Sequence, residues 1–276
     1  MVDCHMHMVL DGVYWRSAID RHRPAPDEPW IRRVLQTYQE QGYTYLRDGG
    51  DRWGVGYAAR AVAPQYGICY RTPGAPLCKA GHYGGFIGKT YESLKAYAEL
   101  VLQARQSGAD FIKIMISGLM DFDRFGVLTE PGLEPAEIRE LIHIAHQEGM
   151  AVMAHANGAR TVEAAASAGV DSIEHGAYLD ADALAAMAEN GTVWVPTIST
   201  VGNLRGKGRF SESAVAQILE SAMENIANFK GLLAPGSDAG AWAVPHGEQQ
   251  ECALLLQAGV TAERLEQGIA QIQKRF

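Results

Sequence analysis

The chain has 276 residues, 47% of them apolar and 20% charged, and a net charge of −8 at pH 7. This composition suffices for one large core, and Lys and Arg form no patch or run that favours nucleic acid or an anionic membrane surface. No apolar stretch approaches the roughly 20 residues that span a bilayer. We therefore expect no nucleic-acid partner and no membrane association.

The cysteines and the first residues bear on location. Cys4, Cys69, Cys78 and Cys252 are scattered and form no C-x-x-C pair, which favours reduced thiols. The opening residues MVDCHMHMVL contain no basic segment and do not resemble a signal peptide. The predicted location is the cytoplasm.

Apolar strand-like runs alternate with helical patterns along most of the chain. The predicted strands span residues 2–8, 43–48, 67–72, 109–116, 150–155, 170–175, 192–197 and 231–237. The predicted helices span residues 29–41, 54–65, 90–107, 135–149, 159–168, 180–190, 212–229, 247–258 and 262–274. Gly149, Gly169 and Gly191 lie where three of these helices should end, and each is followed by a new strand.

Eight strands, each followed by a helix, in about 270 residues predict an α/β fold of the (β/α)₈ TIM barrel type. A doubly wound open sheet shows the same alternation, but it usually has a glycine-rich nucleotide loop after the first strand. Asp11-Gly12-Val13 is not such a loop. No linker divides the chain, so residues 1–276 are predicted to form a single domain.

The stretch FIKIMIS, residues 111–117, raises a question about Lys113. In a strand, Phe111, Lys113 and Met115 share one face and the three isoleucines share the other. A buried ammonium without a partner costs several kcal/mol, roughly, and normally loses its proton instead. Escape of the side chain to solvent at the strand end is the alternative.

Other polar residues fall at the carboxyl ends of predicted strands. His5 and His7 share a face of the first strand, His155 and His175 end the fifth and sixth, and Asp238 ends the eighth. Singly, each has a structural explanation, such as a hydrogen-bonded core histidine or an Asx turn. Together with Lys113 they occupy the end where barrel enzymes keep their active sites, which predicts a metal site there.

The motifs VDCHMH, FIKIM, MAHANG, IEHG and GSDAG, in this order, resemble the amidohydrolase superfamily. The run AHANGARTVEAAASAGVDSIEHGAYLD, followed by PHGEQQE, resembles the branch that holds imidazolonepropionase and Xaa-Pro dipeptidase (prolidase). The resemblance extends over essentially the whole chain. It implies a metal-dependent hydrolase that cleaves a C–N amide or peptide-type bond of a small molecule.

The resemblance also implies the roles of the site residues. His5, His7 and Asp238 would hold one divalent ion, and His155 and His175 a second, with zinc expected and manganese, cobalt or iron as alternatives. Lys113, carboxylated by CO₂, and a hydroxide would bridge the two ions. The hydroxide would attack the substrate, and Asp238 would transfer the proton to the leaving group.

Four further residues are candidates for contact with the substrate. His82, in CKAGHYGGF, resembles the glycine-rich G-H segment that this branch places beside the substrate, where it could hydrogen-bond the scissile carbonyl or the developing oxyanion. A surface-loop histidine is the alternative. His246, in VPHGE, recurs in the family pattern, although it could serve only to order its loop. Dipeptidase relatives use a tyrosine after the seventh strand for the substrate carboxylate, but no tyrosine follows Tyr178 here. Arg205 and Arg124 are the predicted replacements.

The chain departs from its relatives in its flanking segments, and two alternatives to amide hydrolysis remain open. Relatives carry a small β-sandwich built from both chain ends, and most or all of it is missing here. The barrel surface that the sandwich usually covers leads us to expect a homo-oligomer. The same metal site could instead hydrolyse a lactone, an ester or a phosphotriester. A barrel that only binds a small molecule is the non-catalytic alternative.

Overall fold

The computed structural model describes all residues, 1–276, as strands alternating with helices. The strands are β1 (Val2–Met6), β2 (Tyr45–Asp48), β3 (Cys69–Arg71), β4 (Leu77–Lys79), β5 (Lys89–Tyr91), β6 (Ile112–Met115), β7 (Val152–Ala156), β8 (Ser172–His175), β9 (Val193–Val195) and β10 (Leu232–Leu233). The helices are α1 (Trp15–His22), α2 (Glu28–Glu40), α3 (Val55–Val62), α4 (Leu94–Gln106), α5 (Pro135–Gln147), α6 (Ala159–Ser167), α7 (Ala181–Glu189), α8 (Ser199–Gly202), α9 (Glu212–Asn228), α10 (Gln250–Gln257) and α11 (Ala262–Arg275). A 3₁₀ turn, Ala63–Tyr66, follows α3. None of the helices combines the length and apolar character that crossing a bilayer requires.

The strands form a closed parallel ring. One sheet has the order β1-β2-β3 and the other the order β10-β9-β8-β7-β6-β4-β5. Backbone hydrogen bonds join them at both edges: Cys4 N donates to Pro235 O (2.9 Å), and Asp110 N donates to Thr72 O (2.9 Å). Since β3 pairs with β2 and β4 pairs with β6, β3 and β4 are two halves of one barrel strand. The ring therefore has eight positions, and the predicted (β/α)₈ barrel is confirmed.

As the alternation in residues 111–117 predicts, one face of β6 points toward the helices and the other toward the inside of the barrel. Ile112, Ile114 and Ile116 pack in the apolar layer between strands and helices. Phe111 belongs to a smaller cluster inside the barrel, where Phe276 meets it edge-on with ring centroids 5.2 Å apart. The end of α11 thus closes the amino-terminal end of the barrel.

Local signals explain most helix boundaries. Ser93, Asp180 and Ser211 cap α4, α7 and α9 by accepting a hydrogen bond from a backbone amide three residues on. The three glycines expected at helix C-caps have positive φ angles of 72°, 82° and 66°. Only glycine adopts this conformation at little cost, so α5, α6 and α7 end where the sequence predicts.

The sequence did not predict α1, α8, β4 and β5. The first turn of α1 has no acidic residue and no side-chain cap at Tyr14, so it lacks the usual start signal. The helix α8 has four residues, and β4 and β5 have three each, too few for a periodic pattern. The strand predicted at 231–237 is regular only at Leu232–Leu233 because Pro235 cannot donate a ladder hydrogen bond.

We expect Gly268→Ala to destabilise the barrel. A Cβ at Gly268 in α11 would lie 1.8 Å from the carbonyl oxygen of Leu233 in β10, so the helix would have to move outward. Overpacking of this kind costs about 1–3 kcal/mol, more than the gain from the better helix propensity of alanine. Urea denaturation measures the difference. Gln267→Ala, exposed on the same helix, should leave stability within about 0.5 kcal/mol of the original; equal stabilities for the two variants would contradict the expectation.

Candidate active site

A cavity of about 70 Å³ opens at the carboxyl end of the barrel. All six residues predicted as metal ligands line it, namely His5, His7, Lys113, His155, His175 and Asp238. The other lining residues are Leu10, Tyr83, Phe86, Ile87, Met115, Leu119 and Ala241. The strand ends therefore bring the predicted ligands into one place, as parallel strands of a barrel require.

His5, His7 and Asp238 form the tightest group in the cavity. Asp238 Oδ1 lies 3.1 Å from His7 Nε2 and 3.5 Å from His5 Nε2, and the two imidazole nitrogens are 3.3 Å apart. Potential ligand atoms of the three residues all lie within 4.8 Å of one another. Glu174 Oε2 approaches the opposite ring nitrogen, His5 Nδ1, at 2.7 Å. The three side chains can therefore share one cation without rearranging.

His155 and His175 form a second group beside the first. Their ring centroids are 4.6 Å apart, and the ring of His175 lies 5.1 Å from that of His5. The Nε2 atom of His155 lies 3.2 Å from the carbonyl oxygen of Gly118, to which it donates, so Nδ1 carries the free lone pair. The Nδ1 atom of His175 is 2.7 Å from the hydroxyl of Thr197. Each imidazole is thus oriented by one contact and retains one ring nitrogen for a ligand.

Backbone strain is concentrated at this end of the barrel. Five non-glycine residues have positive φ, and three of them are His175 (69°), Asp238 (57°) and Thr197 (51°). Such conformations cost about 1–3 kcal/mol each and persist where surrounding structure enforces them. Regular alternation after the inward-facing Glu174 would turn His175 outward. Its left-handed conformation instead lets the imidazole line the cavity.

The imidazoles of His5, His155 and His175 are neutral in this environment. Burial, reinforced by the charge of Lys113, holds the pKa of His5 well below its usual range and lowers the pKa of His155 to about 3. Burial and the neighbouring imidazole of His155 hold the pKa of His175 well below its usual range as well. Neutral imidazole is the form that binds metal ions, so these rings are ready as ligands at neutral pH.

Lys113 is the most unusual side chain in the cavity. It is 1% exposed, and its Nζ atom has no hydrogen-bond partner. Burial lowers the pKa of Lys113 from 10.5 to about 8, partly opposed by the charge of Glu174. The alternative that the sequence left open, escape of the Lys113 side chain to solvent, is therefore wrong. With this pKa, about a tenth of Lys113 is free amine at pH 7, far more than for a lysine of ordinary pKa.

Four predicted substrate residues lie outside the cavity lining. The side chain of His82 is 34% exposed, and its Nδ1 lies 3.5 Å from Glu130 Oε2. His246 Nε2 donates to the carbonyl oxygen of Leu10 (2.9 Å), and its ring packs against Trp30, so it orders the loop after β10.

The two predicted arginines are on the surface. Arg124 is 69% exposed and paired with Asp121, and Arg205 is exposed in the segment after α8. Loop side chains have no fixed periodicity, so the sequence could not determine which of them turn inward. Their contact with substrate, like that of His82 and His246, stays a prediction that the observed contacts do not support.

Tyr83 is the cavity residue that the sequence reasoning missed. Its ring centroid lies 4.9 Å from that of His155, and its backbone N–H donates to the Glu130 carboxylate. Burial raises the pKa of the Tyr83 hydroxyl, so the hydroxyl remains protonated and able to donate. The glycine-rich segment 78–86 correctly indicated a loop beside the cavity. The side chain that lines the cavity, however, is Tyr83 and not the predicted His82.

Known proteins resemble this chain in sequence and in fold. Ochratoxinase from Aspergillus niger is 26% identical over 277 residues, covering 85% of this chain and 55% of that protein. The chain thus spans about half the length of the curated relatives it matches. A crystal structure of a Xaa-Pro dipeptidase with bound methionine superposes with a TM-score of 0.77 at 22% identity, covering 99% of this chain and 75% of that one. The crystal structure of A. niger ochratoxinase gives 0.76 at 24% identity, covering 96% and 68%.

A sequence model of the amidohydrolase family matches residues 32–250, which is well over half of the chain. The match includes Lys113, His155, His175 and Asp238. The resemblance read from the motifs is therefore confirmed at the level of the family. This protein belongs to the amidohydrolase family.

Proposed function

We propose that this chain hydrolyses the amide bond of a small molecule with two divalent metal ions bound in the cavity. The observation that carries the proposal is the convergence of a buried, unpartnered Lys113 with neutral imidazoles and Asp238. Membership of a superfamily that is generally metal-dependent supports it. The name of one structural relative, Xaa-Pro dipeptidase, makes dipeptides the first substrate class to test.

The side chains in the cavity fit divalent cations. Imidazole nitrogens together with a carboxylate suit ions of borderline softness, of which zinc is the one we propose. His5, His7 and Asp238 would hold one ion, and His155 and His175 the other. Such ions, when bound, make water acidic enough to ionise near neutral pH and place positive charge beside the substrate carbonyl.

Lys113, after reaction with CO₂, would supply a further ligand group for the metal ions. The neutral amine forms an N–C bond to CO₂ and releases one proton, which yields an anionic carbamate with two oxygen atoms. Only the unprotonated amine can react, and burial provides it by lowering the pKa to about 8. Carboxylation would also replace an unpartnered buried nitrogen with a ligand group suited to the cavity.

Asp238 is the proposed acid–base group. Its carboxylate lies within hydrogen-bond distance of His7, and the buried residue lines the cavity. It would accept the proton of the attacking water and deliver that proton to the leaving nitrogen. Tyr83 is the proposed donor to the carbonyl oxygen, because Tyr83 lines the cavity and burial keeps its hydroxyl protonated.

With zinc and bicarbonate present, we expect hydrolysis of dipeptides or N-acyl amino acids, followed as amine release. Asp238→Asn should lower kcat by about 10²–10⁴-fold because the amide cannot accept the proton. Asp171→Asn is the matched control. That carboxylate lies outside the cavity, where it contacts His146 and accepts a hydrogen bond from the Val152 N–H, which an asparagine oxygen can also accept, so activity should be retained.

Two results would contradict this assignment. Turnover of only lactones, esters or phosphotriesters would retain the metal site and reject the amide bond as its target. A metal content below one ion per chain, with no turnover of any substrate, would favour the non-catalytic binding barrel.

A substitution pair separates Tyr83 from its neighbour. We expect Tyr83→Phe to lower kcat by about 10²–10³-fold, the usual cost of removing one donor to a developing oxyanion. Tyr91→Phe, a buried tyrosine outside the cavity whose hydroxyl has no partner, should not change kcat. If His82→Ala lowers kcat and Tyr83→Phe does not, His82 is the donor to the carbonyl oxygen, as the sequence predicts, and the assignment of Tyr83 is wrong.

Lys113→Met should stabilise the metal-free protein at pH 7 while abolishing turnover. The folded chain holds the amine at a pKa of about 8 and the unfolded chain at 10.5, so the unfolded state binds more protons. The resulting penalty, about 3 kcal/mol, is fully present below pH 8 and disappears as pH rises to 10.5. Urea unfolding of both proteins at pH 7, 9 and 10.5 measures it.

The matched control for this experiment is Lys79→Met. That ammonium is 36% exposed and paired with Glu137, so its removal should change stability by no more than about 1 kcal/mol. We expect the difference in unfolding free energy between wild type and Lys113→Met to shrink as pH rises. A difference that grows with pH would contradict the lowered pKa of Lys113.

A further inference from the structure

A buried ion pair lies directly beneath the candidate metal ligands. Arg47 on β2 and Glu174 on β8 are both completely inaccessible to solvent. The Arg47 guanidinium donates to both carboxylate oxygens of Glu174, at 2.8 and 3.0 Å, and to the hydroxyl of Ser172 at 3.0 Å. Its Nε donates to the carbonyl oxygen of Cys4 at 2.6 Å. Strands distant in sequence thus meet inside the barrel through one charged contact.

This contact determines the charge of Glu174. A guanidinium remains protonated in proteins and requires a counter-charge when it is buried. Glu174 provides that charge, so its carboxylate is ionised and can only accept hydrogen bonds. Ser172 Oγ also donates to it, at 2.5 Å. Every contact of the carboxylate is therefore with a donor.

The remaining donor to Glu174 is His5. The Nδ1 atom of His5 lies 2.7 Å from Glu174 Oε2, and the acceptor-only carboxylate requires a hydrogen on that nitrogen. In neutral imidazole the other nitrogen then carries the lone pair. That nitrogen, Nε2, is the one that faces His7 and Asp238 across the cavity.

We infer that Arg47 and Glu174 are positioning residues that hold His5 in the Nδ1-protonated tautomer and aim its Nε2 lone pair at a bound divalent cation. Stability alone does not explain a buried ion pair, because its replacement by apolar side chains of similar volume is often neutral or stabilising. Carboxylate contacts of this kind tune imidazole ligands. The inference rests on the proposed metal centre, but the tautomer of His5 can be measured in the metal-free protein.

The test is the full-length chain with Arg47→Met and Glu174→Met combined. Two apolar side chains replace the ion pair, so folding should be retained. In metal-free wild type, ring ¹⁵N shifts of His5 should show a single tautomer with hydrogen on Nδ1; the double variant should show a mixture. Zinc affinity, measured by competition with a chelator, should fall about 10–100-fold.

The control pair is Lys79→Met with Glu137→Met, which removes a surface ion pair of 2.7 Å between β4 and α5. It should leave the His5 tautomer and the zinc affinity unchanged. An unchanged His5 tautomer in the Arg47/Glu174 double variant would overturn the inference. Absence of zinc binding in wild type would instead reject the proposed function, and the tautomer measurement would still decide the inference.

If the double variant does not fold, Glu174→Gln provides the same readout. Arg47 contacts both carboxylate oxygens, so in either orientation the NH₂ of the amide faces Arg47, and at the Oε2 position it faces His5 as well. The neutral amide is also a weaker acceptor for the His5 Nδ1–H than the carboxylate is. Destabilisation of the Nδ1-protonated tautomer is the supporting result. A His5 that keeps one tautomer and undiminished zinc affinity in this variant contradicts the role.

Discussion

A buried primary amine without a hydrogen-bond partner is the constraint on which the chemistry of this barrel depends. Lys113 is 1% exposed, and burial lowers its pKa to about 8. The same desolvation keeps the imidazoles of His5, His155 and His175 neutral. One physical effect therefore prepares both kinds of group for cation binding: amine that can react with CO₂, and imidazoles with free lone pairs.

The geometry of the site is maintained at a cost in backbone strain. His175, Thr197 and Asp238 adopt left-handed conformations at the ends of neighbouring strands, and such strain persists only where the surrounding structure enforces it. Closure of the ring supplies that enforcement. The Asp238 backbone N–H donates to the carbonyl oxygen of His5 (2.7 Å), which binds the segment after β10 to β1. Fold and site are thus coupled through the hydrogen bonds that close the barrel.

The interior combines apolar and charged layers with different roles. Phe111 and Phe276 close the amino-terminal end, and the guanidinium of Arg47 lies 4.4 Å from the ring of Phe276. Above this layer the Arg47–Glu174 pair contacts His5, and above that the cavity opens. Because buried ion pairs rarely stabilise more than an apolar replacement, the layer is better explained by the orientation it imposes on His5 than by stability.

The sequence alone determined the alternation of strands and helices, the barrel class and the six candidate ligands. It could do so because strand periodicity and the shared edge of parallel strands convert position in the chain into position in space. Only the tertiary structure decided that Tyr83 lines the cavity while His82 does not, since no periodicity governs a glycine-rich loop. Likewise, only packing could bring Arg47 next to Glu174, 127 residues further along the chain, because that contact depends on how β2 and β8 face each other across the closed ring.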